Sequence, residues 1–537
     1  MSQRETATNQ QPFLGVPSSQ SAGGIPYLKS FLVVVVAILI TSIISWQHAK
    51  IVQKGTQSHV SFPCGSFSVV SFPFVLRSTR VVTENGTFPA SIFVDRNGLI
   101  SRVVPGLVED SSWGCLHDVG DLVIMPGLID PHVHVNEPGT KSEGFNTATL
   151  AAAAGGTTLI FDMPLNSHPA CTTYESILEK RRIANSRQLW VDVGLIGGMI
   201  SGNLETLSDQ IFRAGVVALK SFTIDSQAYD FPPVSIQEAE QVMRALRNLS
   251  IDGEIRYMIH AELASSKFSP NNYEGPSMSY MAFMRSRPDS FEVNAVQALI
   301  ELSRKTHCPV YIVHISSADA AELVKQAKEE GIQIFAETCT QYLAFAADDI
   351  PDGHPEFKCV PPIRPNGNRK RLLRYLLQDN LFDLIASDHA PATPEEKCLE
   401  QGNVRMAYAG ISGLQYRLPA VWTALRSYGV TFEQLSYWLS LSAARIFHVD
   451  DRKGRIASGM EADFVIWDPE SLVNITENWC FHRHKKSAFL GKQYYGEVKE
   501  TFLRGSRIFK SDAERGKLGT VLQYPRGIII RNRLVEE

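Results

Sequence analysis

His132 and His134 stand two residues apart in the run DPHVHV. Side chains alternate across a β-strand, so both imidazoles project to one face and can grip one metal ion. A lone H-x-H is a weak sign of metal. Four further residues strengthen it: Lys220, His260, His314 and Asp388 each stand at, or just after, the carboxyl end of a run rich in β-branched residues. Taken singly, each has a plainer reading. Lys220 reads as a surface ion pair, His260 and His314 as hydrogen-bonded core histidines, and Asp388 as a helix N-cap before Ala-Pro. Yet GVVAL before Lys220 is a buried-strand sequence, and an unpaired buried ammonium is expensive, so that lysine needs a special partner or modification. Six coincidences at strand ends outweigh the separate readings.

The elements that must position these groups are legible as period. From about residue 120 to 390, short β-branched runs alternate with longer stretches of helical period. Eight runs can be counted: DPHVHV after the turn at Pro126-Gly127, then 157–163, 189–195, 215–222, 255–260, 309–314, 332–337 and 382–387. Eight strands with helices between them predict a (β/α)8 barrel, a fold whose active site lies at the carboxyl ends of the strands. Apolar and polar residues alternate around Asn-Gly turns before the barrel, and alternate again after it. Neither flank is long enough to bury a core alone, so the two are expected to pair into one small β-sandwich. The predicted organisation is a disordered tail at 1–29, an apolar segment at 30–47 and a linker at 48–74. A composite sandwich at 75–125 and 450–537 then flanks a barrel at 126–449.

Composition narrows the function classes. Of the 537 residues, 44% are hydrophobic and 20% charged, which is ordinary globular usage, and a formal net charge of -4 offers no field for gripping phosphate backbones. Nucleic acid is therefore excluded as an expected partner. The eight cysteines show no C-x-x-C pair and no zinc-finger spacing. Phe31 to Trp46 is a mostly apolar run of sixteen residues, just under the spanning length of about 17–25. A signal anchor and a signal-peptide core are both open, with the endoplasmic reticulum or secretory pathway as the expected location. Glycosylation sequons at Asn85, Asn248 and Asn474 are compatible with a lumenal domain.

With these residues in hand, the chain from roughly 75 to 510 resembles the amidohydrolase superfamily, and within it the cyclic amidohydrolases: dihydroorotases, dihydropyrimidinases, hydantoinases and allantoinases. The resemblance implies two divalent ions, zinc foremost, bridged by an N-carboxylated Lys220. His132, His134 and Asp388 would hold one ion, and His260 and His314 the other. It also implies that a bridging water is acidified towards hydroxide, that one ion polarises the ring carbonyl, and that Asp388 takes the proton and passes it to the leaving nitrogen. His389, beside that aspartate, could orient a ligand from behind or contact substrate.

Several positions select among the cyclic amides. Dihydroorotases carry an arginine two residues after the second metal histidine, where this chain has Asn136, and their MPNT segment is MPLN here, from Met163 to Asn166. Dihydropyrimidinases place a tyrosine five residues beyond the carboxylated lysine, where this chain has Asp225. The allantoinase pattern is matched by EPGTKSEGF (137–145), DMPLNSHP (162–169), LKSF (219–222), SRP (286–288), KCVPPIR (358–364), SDHAP (387–391), GISGLQ (410–415) and FHRHKKSAFLG (481–491). It departs at Cys339-Thr340-Gln341-Tyr342 and at Tyr408-Ala409-Gly410, where the family has Cys-Pro-His-Tyr and Trp-Gly-Gly. The implied reaction is hydrolysis of the hydantoin ring of (S)-allantoin to allantoate. Asn166, Ser221, Thr338 and Ser412 are the implied substrate contacts, and a homotetramer is the implied assembly. A dihydropyrimidinase or hydantoinase is the alternative enzyme, and a metal-free scaffold the alternative class.

Overall fold

A computed structural model describes residues 73–110, 112–264, 274–512, 517–521 and 525–535. The expected tail, the apolar segment and nearly all of the linker lie outside the described residues. Among the described residues, no helix is long and apolar enough to cross a membrane.

The chain opens on five strands: β1 (Phe74–Thr83), β2 (Gly86–Val94), β3 (Ile100–Pro105), β4 (Cys115–Asp118) and β5 (Val123–Pro126). Strands β1 and β2 form a hairpin whose register runs from Phe74 opposite Val94 to Thr83 opposite Gly86. The turn into β3 closes at Gly98, with φ of 77°, where an added Cβ would stand 2.2 Å from the carbonyl oxygen of Arg504. Only glycine fits that turn, and the contact is with the far end of the chain.

Eight parallel strands follow: β6 (Leu128–Val133), β7 (Thr157–Asp162), β8 (Asp192–Gly198), β9 (Ala218–Phe222), β10 (Arg256–His260), β11 (Val310–Ile312), β12 (Ile334–Cys339) and β13 (Leu384–Ala386). They lie side by side in chain order. The two edges meet where Val133 bridges His389 and the His134 amide donates to the His389 carbonyl at 2.7 Å. The expected barrel is therefore present and nearly closed. Every residue of β7, β8, β9 and β10 is buried, as strands covered on both faces must be. Strand β8 begins three residues later than its apolar run and continues through Gly197 and Gly198. Side chains from Gln210 and Phe231 pack directly over those glycines, a tertiary contact that overrides their turn preference.

Helices cross over between most of these strands, α1 (Phe145–Ala154), α2 (Tyr174–Asn185), α3 (Ile236–Asn248), α4 (Asp289–Thr306), α5 (Ala318–Glu329) and α6 (Asn366–Leu377), and α7 (Arg417–Leu425) follows the last strand. After β8 there are only a short tight turn at Leu204–Thr206 and a single wide turn at Asp209–Arg213. The start of α3 shows why these helices begin where they do. Ser235 accepts from the Glu238 amide, and the Glu238 carboxylate accepts from the Ser235 amide, satisfying two otherwise orphaned donors.

The last strands are β14 (Phe464–Asn474), β15 (Gln493–Leu503), β16 (Ser506–Asp512), β17 (Lys517–Val521) and β18 (Ile529–Ile530). Strand β14 pairs with β5, so the two flanks of the barrel join in one nine-stranded sheet. That sheet has its own core around Phe74, Leu76, Ile92, Ile124, Phe464 and Phe502. The final segment leaves it, and β18 pairs with β8 in the barrel. Lys453, itself buried, ties sheet to barrel by reaching Asp463 at 2.6 Å and Asp192, the first residue of β8, at 2.9 Å.

Candidate metal centre

All six expected ligands sit at the carboxyl rim of the barrel and all are buried. Near the end of β6, His132 and His134 turn their Nε2 atoms to Asp388 Oδ1, at 3.2 and 3.6 Å. One ligand atom from each of these three lies within 4.8 Å of the others. His260, the last residue of β10, and His314, just beyond β11, close the other side. The ring centroids of His260 and His314 are 4.5 Å apart, and those of His132 and His314 are 5.4 Å apart. Two of the ligands reach these places through strained backbone: φ is +39° at His314 and +46° at Asp388, as it is +59° at Asn136 and +61° at Asn166. Such left-handed residues other than glycine cost about 1–3 kcal/mol each and cluster where function requires them.

Lys220 lies on β9 with no exposure, and its Nζ has no hydrogen-bond partner. Burial pushes the amine down to about 8 against the opposing pull of Glu337 and Asp388. Burial likewise holds His132 and His314 well below the usual imidazole range, leaving them neutral with a lone pair to offer. Burial pulls the Asp388 carboxyl up, but His132 and His134 more than reverse this and hold it ionised. A buried amine without a hydrogen bond, neutral imidazoles and an ionised carboxylate converging on one space are a donor set that fits a binuclear metal site.

Behind these groups stands a layer that the sequence reading did not weigh. Glu337, fully buried on β12, accepts from His132 Nδ1 at 2.7 Å, from the Tyr311 hydroxyl at 2.8 Å and from the His314 amide at 3.0 Å. Burial pushes its carboxyl up to about 7. Glu262 accepts from His260 Nε2 at 2.7 Å and is gripped by both arms of the Arg287 guanidinium, at 3.1 and 2.6 Å. Burial would raise the Glu262 carboxyl, but Arg287 and His260 hold it far below the usual range. His389 is placed behind Asp388, its Nδ1 facing the Leu414 amide at 3.4 Å and its Nε2 3.6 Å from Glu143. Of these residues only His389 had been given a role from sequence; Glu337 ends one of the eight apolar runs, and Arg287 and Glu143 fall in the SRP and EPGTKSEGF segments, without a role assigned to any of them.

The rim opens into a cavity of 380 Å³ lined by His132, His134, His260, His314 and Asp388, together with Asn166, Arg287 and Tyr408. A cavity of 420 Å³ beside Val82 and Trp438 offers no histidine, so chemistry rather than size marks the site. Of the expected substrate contacts, Asn166 lines the cavity. Ser221, Thr338 and Ser412 are not among its lining residues. The Ser221 hydroxyl donates to the Met199 carbonyl and accepts from Tyr257, and that of Thr338 donates to the Ile315 carbonyl. The Ser412 carbonyl accepts from Ser487. Asn136 turns its amide to the Pro391 carbonyl at 3.1 Å.

Residues 123–508 match the model of the amidohydrolase family. The chain is 39% identical to a protein named allantoinase from Streptomyces avermitilis over 81% of this chain and 95% of that protein. It is 37% identical to one so named from Arabidopsis thaliana, over 81% and 87%. Among solved structures, the L-hydantoinase (dihydropyrimidinase) from Arthrobacter aurescens superposes with a TM-score of 0.77 at 28% identity, covering 86% of this chain and all of that one.

Proposed function

This chain belongs to the amidohydrolase family, and on that premise we propose that it hydrolyses the hydantoin ring of allantoin to allantoate at the rim of its barrel. The observation that carries the reading is Lys220, wholly buried and without a hydrogen-bond partner beside four histidines and an aspartate. Carbon dioxide added to its neutral amine would form a carbamate with loss of one proton, giving an anion that could serve as a metal ligand in place of a buried amine without a hydrogen bond. His132, His134 and Asp388 would hold one ion, and His260 and His314 the other. When bound, the ions supply an acidified water and an electrophile for the ring carbonyl.

The remaining work falls to the chain itself. Asp388, ionised and within 3.6 Å of both histidine Nε2 atoms, accepts the proton of the attacking water. It returns that proton to the ring nitrogen as the carbon–nitrogen bond breaks. Glu337 and Glu262 hold His132 and His260 in one orientation. Asn136 stands where dihydroorotases carry an arginine for a carboxylated ring, which agrees with an uncharged hydantoin.

Metal content, with turnover of allantoin, dihydrouracil and dihydroorotate by one purified sample, tests the reading. Two divalent ions per chain and preference for allantoin are expected. Preference for dihydrouracil would move the chain to the hydantoinases that its fold also resembles, and absence of both metal and turnover would leave a scaffold.

For location, we propose a lumenal catalytic unit in the endoplasmic reticulum, held by the segment at 31–46. Asn85, Asn248 and Asn474 are all exposed and Cys115 is disulfide-bonded, both compatible with an oxidising lumen. A mobility shift on treatment with endoglycosidase is expected; an unshifted chain digested by protease outside intact vesicles would place it elsewhere. A homotetramer is the assembly to test by sedimentation.

A further inference from the structure

We propose that Lys358 and Lys397 are positioning residues for the reaction: their paired ammonium groups hold residues 405–410 in place as one wall of the substrate cavity. Neither lysine is among the residues that line that cavity, so both act through the segment they hold. The inference rests on the reading of the cavity as the allantoin site.

Residues 405–410 belong to no helix or strand, so their main-chain groups must find partners one by one. The amides go to other main chain: Arg405 donates to the Ser277 carbonyl at 2.9 Å, Tyr408 to that of Glu396 at 2.8 Å and Gly410 to that of Lys358 at 2.9 Å. The carbonyls go to the two lysines. Lys358 Nζ donates to those of Arg405 and Ala407, at 2.8 and 2.6 Å. Lys397 Nζ donates to those of Tyr408 and Gly410, at 2.9 and 2.5 Å, and gives its third N–H to the Lys358 carbonyl at 2.9 Å. The segment so held turns Met406, Ala407, Tyr408 and Ala409 to the cavity, with the Tyr408 hydroxyl 2.8 Å from the Asn166 amide beside His134. Its end is pinned as well, since a Cβ on Gly410 would stand 2.2 Å from the carbonyl oxygen of Ala390, two residues beyond Asp388.

Both lysines are buried, and among the described residues neither forms an ion pair. The remaining side of Lys358 Nζ meets the Phe283 ring, 5.2 Å from its centroid. Two neighbouring cations out of water with no counter-charge are an expensive arrangement. Burial pulls both amines below the usual lysine range, with Arg287 adding to it at Lys358 and the Lys358 charge adding to it at Lys397. What offsets that cost is the set of charge-assisted hydrogen bonds to main-chain carbonyls, most of them on the segment that walls the cavity. An ammonium suits this task because it offers three donors and no acceptor, whereas methionine of the same length offers none. The wall stands apart from the metal ligands, so it meets substrate before and during the reaction alike. Loosening it therefore weakens binding and leaves the chemical step unchanged.

The test compares the full metal-loaded chain with Lys358→Met and Lys397→Met, by amide hydrogen exchange and by kinetics with allantoin. In the wild type, residues 405–410 should exchange slowly although no helix or strand protects them. In either variant their exchange should quicken about tenfold while that of the barrel strands stays as it was. KM for allantoin should rise about tenfold, with kcat and bound metal kept. A variant whose exchange quickens throughout the barrel, with KM unmoved, would overturn the inference and make the lysines ordinary supports of the fold. Rapid exchange of 405–410 in the wild type would overturn it too, and needs no variant. A wild type that turns over no allantoin would instead overturn the reading of the cavity, and with it the substrate that the wall serves.

Discussion

Replacing Glu337 by glutamine tests whether the layer behind the ligands controls the metal. Its Oε1 accepts from His132 Nδ1 and the His314 amide, and its Oε2 from the Tyr311 hydroxyl. Glutamine has the same outline. With its oxygen kept towards His132 and its amide nitrogen towards Tyr311, whose hydroxyl can turn to accept, every bond survives and only the charge is lost. Hydrogen bonds to charged groups are worth about 1.5–3 kcal/mol and neutral ones about 0.5–1.5 kcal/mol. The loss is therefore about 1–1.5 kcal/mol, close to tenfold in metal affinity. Glutamate to leucine is the harsher control. It strands three buried donors at about 1–3 kcal/mol each, a sum comparable with a whole domain stability of about 5–15 kcal/mol, so the fold itself should fail. Chelator competition reads the first effect and urea denaturation the second. Glu337→Gln with wild-type metal affinity would refute the positioning argument, as would a loss of stability equal to that of the leucine variant.

Asp388→Asn should keep most of its metal yet lose about 10²–10⁴-fold in kcat, measured at saturating allantoin, because the amide neither takes nor returns a proton. Lys220→Ala should lose bound metal, read by elemental analysis, and regain part of it in a buffer containing a small carboxylate. Removing metal from the wild type should lower its thermal midpoint, with about 2.7 kcal/mol restored by an ion present at a hundred times its Kd. Acid should loosen the joint between barrel and terminal sheet. Burial raises the Asp192 carboxyl, but Lys453 and Arg504 more than offset this and hold it below its ordinary value. A depressed carboxyl contributes stability that is complete above about pH 4 and is lost as pH falls further. Asp192→Asn should flatten that acid limb in denaturation curves while costing about 3–5 kcal/mol at neutral pH.

The barrel and the six rim residues were legible from sequence because their signals are local. Runs such as TTLIFD and RYMIH declare buried strands by composition, and His260 and Asp388 declare themselves by standing at the ends of such runs. Boundaries were less legible: β8 extends past its apolar run because Gln210 and Phe231 cover its glycines. By itself the sequence determined the types of the candidate ligands, their order along the chain and the face of the barrel on which they stand, since strand period and burial pattern are properties of neighbouring residues. Only the tertiary structure decided what stands behind each ligand. Glu337 reaches His132 across 205 positions, and Tyr408 reaches Asn166 across 242. No local period encodes such a pairing, because the two residues become neighbours only when the sheet curls and brings distant strand ends to one rim.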